Sequence, residues 1–124
     1  MALETGLLYT SKLTVQEQHL AVNVGSGDLC VLATPMMMAL MENAAMLCVA
    51  ECLPEGCSTV GGHIESSHLR PSKVGAEVCA TATLTKVDGK KLYFDVKAMM
   101  GDVVIGEGKH LRFIIDKEKF MQRL

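Results

Sequence analysis

One segment constrains this chain more than any other. From position 36 to 50, thirteen of fifteen residues are apolar, and only Glu42 and Asn43 interrupt the run. Thr34-Pro35 reads as a helix N-cap followed by proline at the first helical position, and Leu53-Pro54 and Gly56 stop the helix after about Glu51. A helix that is apolar around its whole circumference has to be covered around its whole circumference. A membrane span is a poor alternative, because a carboxylate sits mid-helix and no apolar run reaches the ~18 residues a span requires.

The cover is legible downstream. Positions 59–70 and 74–87 read as strands, and Asp88-Gly89 is a hairpin signal. Positions 91–100 alternate, with Leu92, Phe94, Val96 and Ala98 on one face. Gly101-Asp102 turns the chain into 103–116, where His110, Arg112 and Ile114 oppose Leu111, Phe113 and Ile115. An early strand at 8–15 and a short terminal helix at 116–124 complete an α+β domain: one long helix against an antiparallel sheet of about five strands. With no linker or internal repeat, 1–124 is read as a single domain. A sheet of this size covers one side of a helix, so the remaining apolar surface calls for a second copy in a homodimer or tetramer.

Composition removes other classes. Twelve Lys+Arg against fourteen Asp+Glu give a net charge of −2 with no dense basic run, which disfavours nucleic acid as a partner. The first residues lack the basic-then-apolar order of a signal peptide, so a cytoplasmic address is expected. Five cysteines (30, 48, 52, 57 and 79) form no C-x-x-C pair, so buried free thiols are expected, not disulfides or zinc. Dinucleotide, phosphate-loop, nucleophile-elbow and H-E-x-x-H motifs are absent.

Three side chains stand out for chemistry. Glu42, flanked by Met38, Met41, Ala45 and Met46, is a carboxylate in a greasy helix, and carboxylates are rarely buried without a partner or a task. Low dielectric is expected to make it hold its proton more tightly. The alternative is a glutamate that is ion-paired or reaches solvent. His68, beside a loop, suits proton transfer near neutral pH, or else serves as a hydrogen-bonded structural histidine. Thr34 reads first as a cap, with a hydroxyl also able to hold an oxyanion. Gly61-Gly62 inside a strand suggests a bulge or a ligand lying on bare backbone. Gly106 and Gly108, on the parity of His110 and Arg112, suggest close approach by another backbone or a ligand. His19 reads as an ordinary surface residue, and His63 and His68, five apart, face opposite sides of a strand, which argues against a two-histidine metal clamp.

Several segments together resemble the fluoroacetyl-CoA thioesterase-like family of hotdog-fold proteins. They are Gly25-Ser26-Gly27-Asp28, Leu32-Ala33-Thr34-Pro35-Met36, Ala39-Leu40-Met41-Glu42-Asn43-Ala44-Ala45, Thr59-Val60-Gly61, His68-Leu69-Arg70-Pro71, Val74-Gly75, Val87-Asp88-Gly89-Lys90-Lys91-Leu92 and Gly106-Glu107-Gly108-Lys109-His110. The resemblance runs over nearly the whole chain. It implies a hotdog fold, a dimer with acyl-CoA sites at the interface, and thioester hydrolysis. The family's catalytic Thr, Glu and His fall on Thr34, Glu42 and His68. Its thioester-contacting glycine falls on Gly61, and a CoA-contacting arginine on Arg112. No metal or separate cofactor is implied, since coenzyme A arrives as part of the substrate. The loop before the helix departs from the fluoroacetate-specific enzyme, which carries an aromatic lid where this chain has Val24-Gly25-Ser26-Gly27-Asp28.

The expected chemistry has Glu42 as general base or nucleophile, a backbone N–H near Gly61 polarising the carbonyl, and His68 positioning water or donating a proton. Thr34 would join the same network, and Arg112, with Arg70 or Lys73, would meet the CoA phosphates. Thr34 and Glu42 are eight apart, about 12 Å along a helix. Either Thr34 lies in the preceding loop, or the two serve different steps, or they meet across a dimer with His68 from the opposite subunit. The competing functional class is a non-catalytic hotdog that binds an acyl-CoA or another small molecule. A hydratase would carry D-x-x-x-x-H, and no Asp here has His at that spacing.

Overall fold

The structure, a computed structural model, describes residues 2–124. Its elements are β1 (Leu8–Thr14), α1 (Ala21–Val24), α2 (Thr34–Val49), β2 (Cys57–His68), β3 (Glu77–Asp88), β4 (Lys91–Met100), β5 (Val103–Asp116) and α3 (Lys117–Gln122). The five strands form one antiparallel sheet in the order β1-β3-β4-β5-β2. The expected architecture is therefore present, with β4 and β5 at the expected bounds. Helix α1 was not anticipated. It is a single turn that ends at Gly25, whose φ of 91° suits a residue without a Cβ.

Both hairpins use two-residue loops. Gly89-Lys90 joins β3 to β4 and Gly101-Asp102 joins β4 to β5, with φ of 60° and 59° at the glycines. These tight loops fix register, so Leu92, Phe94, Val96 and Ala98 all face inward and are buried. They meet Val78, Ala80, Ala82 and Leu84 of β3 on the same face. The alanines let α2 lie close, chiefly across β3 and β1.

Helix α2 buries one stripe: Met37, Leu40, Met41, Ala44, Ala45 and Val49. Each of the larger side chains contributes about 1.5–3 kcal/mol by leaving water. Asn43 ties the helix to β1, accepting a 2.7 Å hydrogen bond from Ser11. On the other face, Ala39 and Leu47 are exposed and Met38, Glu42 and Met46 half-buried. One chain thus covers one side of the helix and leaves the other open.

Four details correct the sequence reading. The α2 cap is Ala33, not Thr34, and Thr34 is the first helical residue. The amides of Met36 and Met37 bond to the Ala33 carbonyl, so the threonine hydroxyl is not used as a cap. The α-helix ends at Val49 and tightens into a 3₁₀ turn through Cys52. His19 is buried, its Nδ1 accepting from the Gln16 amide at 2.9 Å and closing a local turn. The five cysteines are free, but none is fully buried, and Cys30 is exposed in the loop before α2.

Candidate active site

Two polar clusters lie at the edge where α2 meets β2. The first joins the start of α2 to the end of β2. Thr34 Oγ1 and His68 Nδ1 share a hydrogen bond of 2.6 Å. The hydroxyl is available because Ala33 took over the cap. His68 Nε2 is buried and unpartnered among the described residues. Burial pushes the His68 imidazole below the ordinary histidine value, against a smaller upward pull from the Arg70 backbone. The pair sits in a cleft of about 290 Å³ lined by Leu32, Leu69, Arg70 and Pro71.

The second cluster gathers Glu42, Gly61, His110 and Arg112. Glu42 is half-buried and makes no ion pair among the described residues. Opposite it, Gly61 pairs in register with Arg112 across β2 and β5. A methyl group on Gly61 would sit 3.1 Å from Glu42 Oε2, 3.4 Å from His110 Cε1 and 3.6 Å from Arg112 Nη1. Bare backbone therefore floors a slot about one carbon wide, walled by a carboxylate, an imidazole and a guanidinium.

Each wall is fixed from behind. Arg112 is 7% exposed, and its Nε and Nη2 donate to Thr59 Oγ1 and the Thr59 carbonyl at 2.8 and 2.9 Å. His110 Nδ1 donates to the His63 carbonyl at 2.7 Å. That bond leaves a lone pair on Nε2, which accepts from Arg112 Nη1 at 3.2 Å. Burial pulls His110 below the ordinary histidine range, keeping the neutral form this arrangement needs. Burial also works against the Arg112 charge, and the Glu42 carboxylate opposes that pull.

The glycines expected to permit close approach do so. Gly62 is the extra residue of a bulge between Gly61 and His63, and a side chain there would run into the Phe113 ring. A methyl on Gly106 would meet Met37 Sδ at 2.6 Å, and one on Gly108 would meet the Glu65 carbonyl oxygen at 1.8 Å. The approaching groups are this chain's own.

All five sequence-derived candidates thus fall in the two clusters. Thr34 joins His68, and Glu42 joins Gly61 and Arg112. Among the described residues, no hydrogen bond links the clusters within one chain. His110 was noted for its face and, like Thr59, lay in a segment that resembles the family, but neither was given a role. The clue to His110 is H-x-R following G-x-G on one strand face, which turns charge toward the helix where an apolar stripe is usual.

The sequence profile described as the fluoroacetyl-CoA-specific thioesterase matches residues 15–118. The chain belongs to this family. The chain is 38% identical to the fluoroacetyl-CoA thioesterase of Streptantibioticus cattleyicolor over 90 residues, 73% of this chain and 65% of that protein's length. A variant of the fluoroacetyl-CoA-specific thioesterase, solved with fluoroacetate and CoA, superposes with a TM-score of 0.89 at 30% identity, over 95% of this chain and 99% of that one. A thioesterase superfamily member from Thermus thermophilus gives 0.89 at 25% identity, over 97% and 89%. This family of hotdog thioesterases is therefore the frame for both clusters. Among the described residues, no helix is long and apolar enough to cross a membrane.

Proposed function

We propose that the protein hydrolyses acyl-CoA thioesters, with Glu42, His68 and Thr34 as catalytic residues and Gly61 and Arg112 in contact with substrate. The observation that carries this reading is the slot over Gly61. A thioester carbonyl laid on that bare backbone meets the Glu42 carboxylate at contact distance, and the carboxylate makes no ion pair among the described residues.

The reaction breaks the C–S bond of R–CO–S–CoA and adds water across it. Glu42 either attacks the carbonyl carbon, expelling the CoA thiolate and forming an acyl–Glu42 anhydride that water then hydrolyses to the free acid, or takes the proton of a water that attacks the carbonyl directly. Backbone N–H at the Gly61–Gly62 bulge and the Arg112 guanidinium stabilise the oxygen as it gains charge. The leaving thiolate takes up a proton, a step assigned to the Thr34–His68 pair. Arg112 keeps its aim because Thr59 and His110 hold three of its N–H groups.

The two clusters belong to one site when two copies meet. Thr34 and Glu42 lie eight helical residues apart, about 12 Å. A twofold partner places the Thr34–His68 pair of one copy beside the Glu42 slot of the other. Two features support that homodimer. Strand β2 is a twelve-residue edge with one side unpaired. Beside it, the open face of α2 presents Met38, Ala39, Met46 and Leu47. A cytoplasmic address is part of the same proposal, since acyl-CoA esters are metabolites of that compartment.

The deciding experiment is thiol release from a panel of acyl-CoA esters. Turnover that disappears in Glu42→Ala while the dimer persists is expected. Tight binding of the esters with no thiol release would instead identify a non-catalytic acyl-CoA binding protein.

A further inference from the structure

Apolar packing gives helix α2 little reason to stop at one roll angle about its axis. The helix is greasy around its circumference, and much of what it buries is small or pliable: Ala44, Ala45, Met37 and Met41 on the helix, Ala80 and Ala82 on β3. Such surfaces hold a fold together before they specify one arrangement of it. A hydrogen bond, in contrast, has direction, and one polar contact can set the register of an otherwise apolar helix.

Among the described residues, one side-chain hydrogen bond other than Thr34–His68 joins α2 to the sheet: Ser11 donates to Asn43 Oδ1 at 2.7 Å. Ser11 lies on β1 in register with Ala80 and is 6% exposed, while Asn43 stands at the solvent margin of the helix. Thr34–His68 pins the first turn, about 12 Å along the axis from Glu42. The Ser11 bond pins the middle, at the residue next to Glu42.

The two neighbours lean opposite ways. Successive helical residues project about 100° apart, so Asn43 reaches β1 while Glu42 faces Gly61 on β2, and these strands are the two edges of the sheet. A roll that lifts Asn43 from β1 drives the carboxylate toward β2, and the reverse roll withdraws it. A side-chain tip lies about 6 Å from the helix axis, so a roll of about 10° moves it about 1 Å. Glu42 Oε2 lies only 3.1 Å from where a methyl on Gly61 would sit. A displacement of about 1 Å is enough to cost about 10²-fold in rate.

We propose that Ser11 and Asn43 are positioning residues for Glu42: their hydrogen bond fixes the roll of α2 and so holds the carboxylate over Gly61. The assignment rests on the thioesterase reading and adds to it the device that aims the carboxylate from the far edge of the sheet.

The test is the Ser11→Ala/Asn43→Leu double variant. Replacing both partners by apolar groups leaves no buried polar orphan, so the thermal midpoint is expected to hold or rise. In acyl-CoA hydrolysis kcat is expected to fall at least ~10-fold with KM within about twofold of wild type, because the change lies in aim and not in binding. Ser11→Thr, which keeps the hydroxyl, is expected to retain wild-type kcat. Wild-type kcat in the double variant overturns the assignment, as does a loss of kcat matched by a loss of stability, which would make the pair a prop of the fold. If the double variant does not fold, Ser11→Ala beside Ser11→Thr decides: kcat lowered in the first alone supports the assignment, and equal kcat overturns it. If wild type cleaves no acyl-CoA ester, the thioesterase reading fails, and ¹H–¹⁵N spectra decide the aim of Glu42 by themselves. The Gly61 amide and Arg112 Nε–H signals are expected to shift in Ser11→Ala and to stay in place in Ser11→Thr; signals unmoved in both, or moved equally, overturn it.

Discussion

Thr34 Oγ1 lies 2.6 Å from His68 Nδ1, which ties the first turn of α2 to the last residue of β2. The contact exists because Ala33, not Thr34, caps the helix. Two residues joined this way act as one unit, so their losses should not add. Thr34→Ala and His68→Ala are each expected to lower kcat by about 10²-fold, and the double variant to be little worse than His68→Ala. Thiol-release kinetics on the four proteins of the cycle measure this; additive losses would separate the two roles.

Glu42→Gln keeps the shape of the side chain and removes its charge. Glu42 makes no ion pair among the described residues, but its charge supports the buried Arg112 guanidinium, so the thermal midpoint is expected to fall slightly, while kcat falls by about 10²–10⁴-fold. A melting curve beside a rate assay separates the two effects. Single-turnover hydrolysis in ¹⁸O-water then tests attack by Glu42: label in the Glu42 carboxylate requires an acyl–Glu42 anhydride opened by water at the Glu42 carbonyl, whereas label in the acid product alone fits direct attack by water or opening at the acyl carbon.

Gly61→Ala puts a methyl group into the slot, 3.1 Å from Glu42 Oε2. The position is exposed and its φ is ordinary, so stability should hold. Turnover is expected to fall at least ~10-fold, because near-attack geometry tolerates little displacement. Gly108→Ala makes the opposite control. Its methyl would lie 1.8 Å from the Glu65 carbonyl oxygen, and the β2–β5 pairing is expected to lose about 3 kcal/mol or more, seen as a lowered denaturant midpoint.

His68 and His110 are both held below the ordinary histidine value of 6.5, chiefly by burial. The unfolded chain therefore binds protons first as pH falls. Stability is greatest above 6.5 and is lost as pH drops from there toward the folded-state values. Activity should follow with an acid limb below 6.5, since protonated His110 no longer accepts from Arg112. His110→Gln retains an acceptor for Arg112 and is expected to keep more activity than His110→Ala, with a weaker pH dependence of stability. Melting points and kcat/KM from pH 5 to 8 test both.

The core was legible because it repeats. Period-two alternation announced Leu92, Phe94, Val96 and Ala98, and glycines at the hairpins set the registers that turned them inward. The long apolar run announced α2 but not which stripe would be buried, because local hydrophobicity carries no direction when every face is apolar. The cap was misplaced by one residue for a similar reason: threonine before proline fits both the cap and the first helical position.

Of the candidate site, the sequence by itself marked the candidates: a carboxylate in a greasy helix, a histidine at a strand end, paired glycines and an arginine on a strand face. The fold decided who meets whom. Thr34 and His68 are 34 positions apart, and Arg112 and Thr59 are 53 apart. Such contacts are set by sheet register and by where α2 crosses β2, and no local pattern encodes them. The neutral state of His110 and the aim of Arg112 belong to the same class, since burial and a carbonyl from a neighbouring strand exist only once the sheet has closed.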